Sequence, residues 1–291
     1  MEANREEALK ALQSIKENIK AKESHWKYKV AVLSGKGGVG KSTVAVNLAT
    51  ALAKRGFRVG LLDADIHGPN VAKMMGLEGV DVLAERMEDG RFEMIPPETD
   101  FGGKTVPIKV MTLGFMVGED QPIIWRGPLV TKAIWQLLGD VKWGELDFFV
   151  VDFPPGTGDE ILTVVQSINL DAAIIVTTPQ EVALLDTGKA VNFMKKMEIP
   201  YIAVIENMSY LICPHCGNEI DIFGRGGGRK LAEKEGVEFL GEVPIDLKAR
   251  EASDAGIPIV LYGDTPAAKA FEGIIEKLVN RLEEIKKRNS S

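Results

Sequence analysis

The chain has 291 residues, of which 45% are hydrophobic and 26% are charged, and its formal net charge is −7. This composition is ordinary for a globular protein with a large core, and the negative charge argues against a general nucleic-acid surface. No apolar run reaches the length of a membrane span, the first residues do not resemble a secretory signal, and two cysteines are too few for a disulfide scaffold. We therefore expect a cytoplasmic protein without a nucleic-acid partner.

The predicted elements begin with a helix over residues 5–22, which places a helical extension at 1–24 ahead of a main domain at 25–291. From residue 29 onward, predicted strands at 29–34, 58–63, 147–152, 172–177, 201–206 and 239–242 alternate with predicted helices at 41–54, 128–139, 159–168, 183–197, 229–235 and 266–287. Alternation of this kind favours an α/β fold with a mostly parallel, doubly wound sheet and with ligands at the carboxyl ends of its strands. Residues 78–125, rich in glycine and proline, predict an inserted hairpin-like excursion.

A glycine-rich loop after the first predicted strand carries the clearest chemical signal. Residues 35–42 fit the phosphate-loop pattern G-x-x-x-x-G-K-[ST], in which backbone N–H groups line an anion site at a helix N-terminus. We expect Lys41 to reach the β- and γ-phosphates of a nucleotide and the Ser42 hydroxyl to complete the shell of Mg²⁺. The residues expected to bind the nucleotide in this loop are Gly35, Lys36, Gly37, Gly38, Val39, Gly40, Lys41, Ser42 and Thr43.

Two further strands end in acidic loops, at residues 63–69 and 152–159. Asp152 follows an apolar strand and is predicted to hold Mg²⁺ through a bound water, while Asp65 is predicted to polarise the attacking water. An isolated aspartate at a strand end is more often a helix cap or a turn residue. Two such ends beside a phosphate loop favour a functional role, whereas His67 is given none.

Together these motifs resemble the Mrp/ApbC family of iron–sulfur cluster carrier ATPases. The matching segments are residues 35–42, 63–69, 125–128 (Trp-Arg-Gly-Pro), 152–159 and 206–209 (Glu-Asn-Met-Ser), and the resemblance covers residues 25–285. The resemblance implies a P-loop NTPase with the deviant phosphate loop, similar in fold to MinD and the nitrogenase iron protein.

The resemblance also implies roles for single residues. Lys36 matches the family's extra lysine, which reaches across a dimer to the partner's nucleotide, and Asp65 and Asp152 match the residues associated with hydrolysis and Mg²⁺. Asn207 matches a residue near the adenine ring, with the loop at 243–246 close by. The predicted catalytic set is therefore Lys36, Lys41, Asp65 and Asp152.

Cys213 and Cys216 form a Cys-x-x-Cys motif in the loop at 207–228. Iron–sulfur clusters and structural zinc usually take four ligands, and one subunit offers two thiolates. A symmetric dimer, which Lys36 also implies, supplies four, enough for one shared [4Fe–4S] cluster. We favour that cluster; a shared zinc ion, a thiol–disulfide pair and two ordinary loop cysteines are the alternatives. Some relatives carry a second cluster site near the N-terminus, which is not expected here because no cysteine precedes Cys213.

Two features near the C-terminus have simple interpretations. The glycine run at 224–228 is expected to bend the chain before the next helix and not to form a second phosphate site. The apolar stripe of the helix at 266–287 ends in basic residues, as in helices that bind membranes. Acidic residues dilute that charge, so we expect a helix docked on the sheet and no membrane partner.

The sequence thus predicts a homodimeric ATPase that binds ATP and Mg²⁺, holds a [4Fe–4S] cluster between its subunits and passes the cluster to apo iron–sulfur client proteins. The alternative is a MinD/ParA-like positioning ATPase, with a structural zinc or no metal, that assembles on a membrane or DNA surface. A third reading is a reductase that uses the cluster for ATP-gated electron transfer. The cysteine pair discriminates the carrier from the positioning ATPase, which needs no metal.

Overall fold

The structure is a computed structural model that describes residues 2–65, 68, 70–88, 90–116 and 127–289, with side chains from residue 13 to residue 288. His67, Trp125 and Arg126 lie outside the described residues. The strands are β1 (Trp26–Ser34), β2 (Val59–Asp63), β3 (Leu83–Arg86), β4 (Phe92–Ile95), β5 (Glu98–Thr99), β6 (Ile108–Thr112), β7 (Leu146–Asp152), β8 (Ala172–Thr177), β9 (Tyr201–Ile212), β10 (Glu219–Ile220) and β11 (Glu238–Ile245). The α-helices are α1 (Glu2–Glu23), α2 (Lys41–Lys54), α3 (Val71–Met74), α4 (Gly127–Gly139), α5 (Asp159–Ser167), α6 (Glu181–Lys196), α7 (Gly227–Glu235), α8 (Leu247–Asp254) and α9 (Pro266–Asn289).

One large sheet organises the described part of the chain. Its strand order is β10-β9-β8-β1-β7-β2-β6-β5, with β11 also paired to β9. Neighbouring strands run parallel, except that β10 is antiparallel to β9 and β5 is antiparallel to β6. The strands β2 and β8 are buried throughout because helices cover both faces of the sheet. These observations confirm the predicted α/β fold.

Two apolar layers hold the helices on the two faces of the sheet. The layer with α2 and α9 includes Phe271 and Leu278, which are buried, so the apolar stripe of α9 is packed against the protein. The Lys277 ammonium donates a hydrogen bond of 2.9 Å to the Leu240 carbonyl of β11 and fixes this docking. The last helix is therefore docked on the sheet, as expected. Over the described ranges, no helix has both the length and the apolar content needed to cross a bilayer.

The N-terminal helix α1 packs on the opposite face, against α4. Ile19 is buried there, and the Asn18 side chain donates a hydrogen bond of 2.8 Å to the Gly139 carbonyl at the end of α4. Lys22 donates to the Val141 carbonyl at 2.6 Å and pairs with Glu93 at 2.6 Å. The second half of α1 thus belongs to the folded body.

The segment predicted as an excursion is more closely integrated than the sequence indicates. β3 and β4 do form an antiparallel hairpin, with Leu83 opposite Ile95. Residues 108–112, however, form β6, a parallel neighbour of β2 in the main sheet. β6 carries buried Ile108 and Val110, which extend the core beyond β2. Strand β9 also continues past the predicted end at residue 206, because its last two residues pair with β10.

Candidate functional site

The phosphate loop joins β1 to α2 at the carboxyl edge of the sheet. Gly38 (φ 80°) and Gly40 (φ 81°) adopt left-handed backbone angles that other residues rarely take. Gly35 has a different reason to be glycine: a Cβ there would lie 2.2 Å from the backbone carbon of Asp186 in α6. The shape of the loop therefore depends on glycine at each of these positions.

An open cleft of 340 Å³ lies beside this loop. Its lining residues are Ser34, Gly37, Gly38, Gly40, Lys41, Ser42, Thr43, Asp65, Gly68, Asn70, Met74 and Pro155. The structure therefore brings most of the predicted nucleotide site together. The remaining residues of that prediction, Gly35, Lys36, Val39, Asp152 and Asn207, are not part of this lining.

Three buried charged groups meet at the base of the cleft. The Lys41 Nζ lies 2.7 Å from Asp152 Oδ1 and 3.7 Å from Asp65 Oδ2. Burial raises the pKa of Asp152, although the Lys41 ammonium beside it acts in the opposite direction. The predicted phosphate-binding lysine and both predicted catalytic aspartates thus converge, from the ends of three different segments, on one point.

The donor set beside Lys41 suits a magnesium ion. Oδ2 of Asp152 is buried and has no hydrogen-bond partner among the described residues, which leaves it available as an acceptor. The Ser42 hydroxyl, at 3.2 Å from the Lys41 Nζ, is a second oxygen donor nearby. Magnesium prefers oxygen ligands and keeps several waters, so these residues fit the ion that the sequence predicts.

Asp63 was given no role from the sequence, yet the structure places it next to the aspartates. It is fully buried and lies opposite Asp152 in the pairing of β2 with β7. Its carboxyl group accepts hydrogen bonds of 3.0 Å from the backbone N–H of Asp65 and 3.0 Å from the Thr112 hydroxyl. Burial, followed by the charge of Asp152, raises the pKa of Asp63 to about 8. Asp63 therefore positions Asp65. Its place as the last residue of an apolar strand is the sequence signal that could have identified it.

Asn207 contacts the phosphate loop directly. Its side chain is buried and donates a hydrogen bond of 2.9 Å from Nδ2 to the Val39 carbonyl. The same nitrogen lies 2.2 Å from the position that a Cβ on Gly40 would take. Asn207 therefore ties β9 to the loop, while its expected place near the adenine ring remains a prediction.

Cys213 and Cys216 lie in the turn of the β9–β10 hairpin. The turn is closed by hydrogen bonds of 2.9 Å from Cys213 N to the Asn218 carbonyl and 2.9 Å from Gly217 N to the Cys213 carbonyl. Cys213 is half-buried and Cys216 is exposed. Hydrogen bonds from the backbone N–H groups of Cys216 and then His215 lower the pKa of the Cys213 thiol. This environment favours the thiolate, which is the form that binds metals.

The hairpin position bears on the alternatives for the cysteine pair. Redox Cys-x-x-Cys motifs start a helix, whereas this one lies in the loop of a β-hairpin. In the described part of the protomer, no group of three or more His, Cys, Asp or Glu side chains could hold a metal ion. A four-ligand metal site at these cysteines therefore needs ligands from outside the described protomer.

The glycine run after the hairpin already has an anionic partner within the chain. The buried Glu206 carboxylate accepts hydrogen bonds of 2.9 Å from Gly226 N and 2.5 Å from Gly228 N at the start of α7. These amides form the kind of anion site that helix N-termini offer. Because Glu206 occupies them, the run does not form a second phosphate site.

The sheet order, the phosphate loop and the strand-end aspartates define the chain as a P-loop NTPase of the parallel α/β type. Residues 25–279 match the family described as "NUBPL iron-transfer P-loop NTPase". The chain belongs to this family of iron–sulfur cluster carriers. It is 80% identical over 270 residues to an iron-sulfur cluster carrier protein of Pyrococcus furiosus, covering 93% of this chain and 92% of that one.

Other relatives and solved structures agree. An iron-sulfur cluster carrier protein of Methanocaldococcus jannaschii is 52% identical over 271 residues, covering 92% of this chain and 88% of that one. A nucleotide-binding protein from Archaeoglobus fulgidus, solved in complex with ADP, superposes with a TM-score of 0.71 at 38% identity, over 83% of this chain and 91% of that one. MinD from Pyrococcus horikoshii, solved with Mg-ADP, has a TM-score of 0.58 at 25% identity, over 86% of this chain and 95% of that one.

Proposed function

We propose that this protein is an ATP-hydrolysing carrier that holds a [4Fe–4S] cluster between the two subunits of a homodimer and transfers the cluster to apo-proteins. The observation that carries the proposal is the cysteine hairpin. It presents two thiols to the outside, with the Cys213 thiol favoured as thiolate, and the described protomer supplies no further ligand beside them. Two symmetry-related hairpins complete a set of four thiolates.

The exposure of the pair suits a cargo that must leave. Cys216 is exposed and Cys213 only half-buried, so a cluster bound there can be reached by the thiolates of an acceptor. Transfer needs such access, because a thiolate of the acceptor has to approach the iron in order to replace a cysteine ligand. A buried four-cysteine cage in a single chain would hold a cluster more tightly and release it less readily.

The cleft supplies the groups for nucleotide hydrolysis. Lys41, now paired with Asp152, exchanges that partner for the phosphates when ATP binds, and Asp152 and Ser42 then face the magnesium ion. The ion neutralises charge that develops on the phosphate oxygens. Asp65, held by its backbone bond to Asp63, orients the attacking water.

Lys36 supports the homodimer. Its ammonium forms no ion pair with a carboxylate of the described part of its own protomer, whereas Lys41 pairs with both Asp65 and Asp152. A partly exposed cation that does not line the cleft of its own protomer is suited to a nucleotide bound by a second protomer. In a dimer with two-fold symmetry, each Lys36 would face the nucleotide of the other subunit. The same surface of both subunits would then form the interface.

The test is anaerobic reconstitution with iron and sulfide, followed by transfer to an apo-dehydratase that requires a [4Fe–4S] cluster. The wild type is expected to take up about four iron and four sulfide per dimer and to restore the acceptor's activity. The double variant Cys213→Ser, Cys216→Ser is the control and should do neither. Zinc retained by the wild type without cluster uptake would overturn the proposal and favour a structural metal in a positioning ATPase.

Coupling of transfer to ATP has its own test. The Lys41→Ala variant loses the main contact to the phosphates and is expected to transfer its cluster without any response to ATP. Lys54→Ala, at the other end of α2 and paired on the surface with Glu272, is the matched control and should respond as the wild type does. Full ATP-dependent activation of the acceptor by Lys41→Ala would contradict the coupling.

A further inference from the structure

Strand β9 connects the two candidate sites through an irregular segment. Its first half lies in the sheet beside β8, and its last residues lead to Cys213 in the hairpin turn. In the pairing with β11, Asn207 lies opposite Val243 and Leu211 lies opposite Ile245. Strand β9 therefore advances four residues over a stretch in which β11 advances two. The extra residues form a bulge, a feature that bends a strand and redirects its side chains.

The backbone at this bulge is strained. Met208 has a φ of 54°, a left-handed angle that is uncommon for a residue with a side chain. Such residues persist only where their surroundings hold them, and they concentrate at functional and switching segments. The side-chain methyl of Met208 lies 3.5 Å from the position of a Cβ on Gly40, so this strained residue is in the immediate surroundings of the phosphate loop.

Glu206, the residue before this contact, clamps the base of the cysteine arm, which we define as residues 207–225. Its buried carboxylate accepts hydrogen bonds of 2.6 Å from the Ser209 hydroxyl, 2.9 Å from Gly226 N and 2.5 Å from Gly228 N. One side chain therefore holds both the strand that enters the arm and the glycine run that leaves it. The arm can change direction only as these bonds permit.

The next residue, Asn207, carries the same segment to the nucleotide side. Its side chain donates to the Val39 carbonyl in the phosphate loop, between Gly38 and Gly40. The backbone N–H groups of such a loop contact the bound phosphates, so nucleotide binding can reorient its peptide groups, that of Val39 included. A movement of the Val39 carbonyl would act on Asn207 through this hydrogen bond and, through the chain, on its neighbours Glu206 and Met208.

We propose that Glu206 is a positioning residue that transmits the state of the phosphate loop to Cys213 and Cys216, with Met208 as the strained joint of the arm. The inference rests on the proposed function and adds a specific path between its two sites. In this path, nucleotide binding at the loop shifts Asn207, the clamp at Glu206 converts that shift into a tilt of the arm, and the tilt changes the exposure of the two thiols.

The thiols themselves provide the measurement, because the chain contains only two cysteines and both lie in the arm. The rate at which the metal-free, reduced protein reacts with Ellman's reagent therefore reports the arm alone. We expect magnesium with a non-hydrolysable ATP analogue to change this rate by about fivefold or more, the lower range of typical coupling between two sites. Glu206→Gln should abolish that change, while affinity for a fluorescent ATP analogue and the far-UV circular dichroism stay as in the wild type.

The choice of glutamine follows from the hydrogen bonds. Gln has nearly the shape of Glu but offers one carbonyl oxygen, so it cannot accept from both Gly226 N and Gly228 N with separate oxygens as Glu206 does. The variant therefore opens one side of the clamp without creating a cavity. A residue with a merely structural role would, when replaced, lower stability and leave the nucleotide response of the thiols in place.

A second variant covers the case in which Glu206→Gln does not fold. Met208→Gly removes the backbone strain and the contact beside Gly40, and it should also abolish the nucleotide response. Glu198→Gly is the matched control: Glu198 has a φ of 56°, is exposed on the surface after α6, and touches neither site. This control should keep the wild-type response.

The outcomes separate cleanly. The proposal would be overturned if the nucleotide changed the thiol reaction rate of folded Glu206→Gln or of Met208→Gly as much as that of the wild type. It would also be overturned if the nucleotide left the rate of the wild type unchanged. If dimer formation alone shielded the thiols, both variants would still respond to the nucleotide, and that result would overturn the proposal. Failure of the wild type to take up a cluster would count against the proposed function and leave this assay, which uses no cluster, unaffected.

Discussion

The phosphate loop and the cysteine hairpin differ in how much of each site a single protomer contains. At the loop, Lys41 is buried and already paired with Asp152, and most of the predicted phosphate-loop residues line one cleft together with Asp65. At the hairpin, one half-buried and one exposed cysteine lie in the turn, and the described protomer forms no group of three or more possible metal ligands there. One site is formed by the fold of a single chain, whereas under the proposed function the other is completed only by a second chain.

This difference has a structural cause. The loop residues sit at the carboxyl ends of parallel strands, whose positions are fixed by the buried centre of the sheet. The hairpin lies at the edge of the sheet, where the two-residue strand β10, with both residues exposed, pairs with the end of β9. A site built on such a ribbon gains its final geometry from what packs against it.

Replacing Lys36 should give the largest effect, because this lysine lies in the phosphate loop of one protomer and is expected to act on the nucleotide of the partner. Lys36→Ala should lower kcat for ATP hydrolysis by about 10³-fold, the low end for a cation supplied in trans, while ATP affinity changes little. Lys189→Ala, an exposed lysine on α6, is the control and should hydrolyse ATP normally.

Mixing two inactive variants sharpens the same test. A dimer of one Lys36→Ala chain and one Lys41→Ala chain contains a single complete site, formed by the nucleotide of the first and the Lys36 of the second. We expect ATPase activity to return on mixing, as measured by phosphate release. Mixed dimers that stay inactive would show that Lys36 acts within its own protomer.

The contact between Asn207 and the loop can be tested by two glycine variants with the same backbone strain. Gly38 and Gly40 have φ of 80° and 81°, so alanine at either position costs about 1–2 kcal/mol for the left-handed angle. Beyond this, a Cβ at Gly38 meets open space, whereas at Gly40 it meets Asn207 at 2.2 Å and displaces the bond to Val39. Urea unfolding should therefore find Gly40→Ala less stable than Gly38→Ala by about 1 kcal/mol. Equal stabilities would mean that the Asn207 contact does not restrain the loop.

The last prediction concerns the pH dependence of the free energy of unfolding. Burial, with Asp152 next in importance, raises the pKa of Asp63 to about 8, so the native state keeps a proton that the unfolded chain releases near pH 4. The native state then binds more protons than the unfolded state between these values, and stability falls as the pH rises from about 4 to about 8. Asp63→Asn, which mimics the neutral acid, should reduce this slope by at most about 1.4 kcal/mol per pH unit.

Urea unfolding at pH 5 and pH 8, without nucleotide or magnesium, measures the slope. Asp147→Asn is the control, since a hydrogen bond from Arg58 lowers the pKa of Asp147 and its contribution is constant above pH 5. This variant should lose similar stability at both pH values. An Asp63→Asn variant with the wild-type slope would contradict the assigned protonation.

Much of the nucleotide site is predictable because local sequence patterns specify it. Glycines before Lys41 and aspartates at the ends of apolar strands are the patterns that predict where phosphates and magnesium would bind. The contacts between distant segments are not predictable in this way: the bond from Asn207 to Val39 joins residues far apart in the chain, and so does the clamp from Glu206 to Gly228. The insertion of β6 into the main sheet likewise depends on the edge that β2 presents, which no local pattern encodes.

The cysteine pair shows a second limit, since a motif can identify ligands without supplying the whole site. The spacing of Cys213 and Cys216 predicts metal binding, and the structure places both cysteines in one hairpin turn. The number of ligands per cluster, and hence the need for a partner, follows from counting and from the absence of a third ligand in the described protomer. Neither the sequence nor one protomer contains the interface that would complete the set.

The central claim is that the cluster belongs to the dimer, and anaerobic native mass spectrometry of the reconstituted protein tests it most directly. We predict a dimer that carries a single [4Fe–4S] cluster, with monomers free of iron and with no cluster on the Cys213→Ser, Cys216→Ser variant. A monomer that carries its own metal or cluster, or a dimer that carries one on each subunit, would contradict the account.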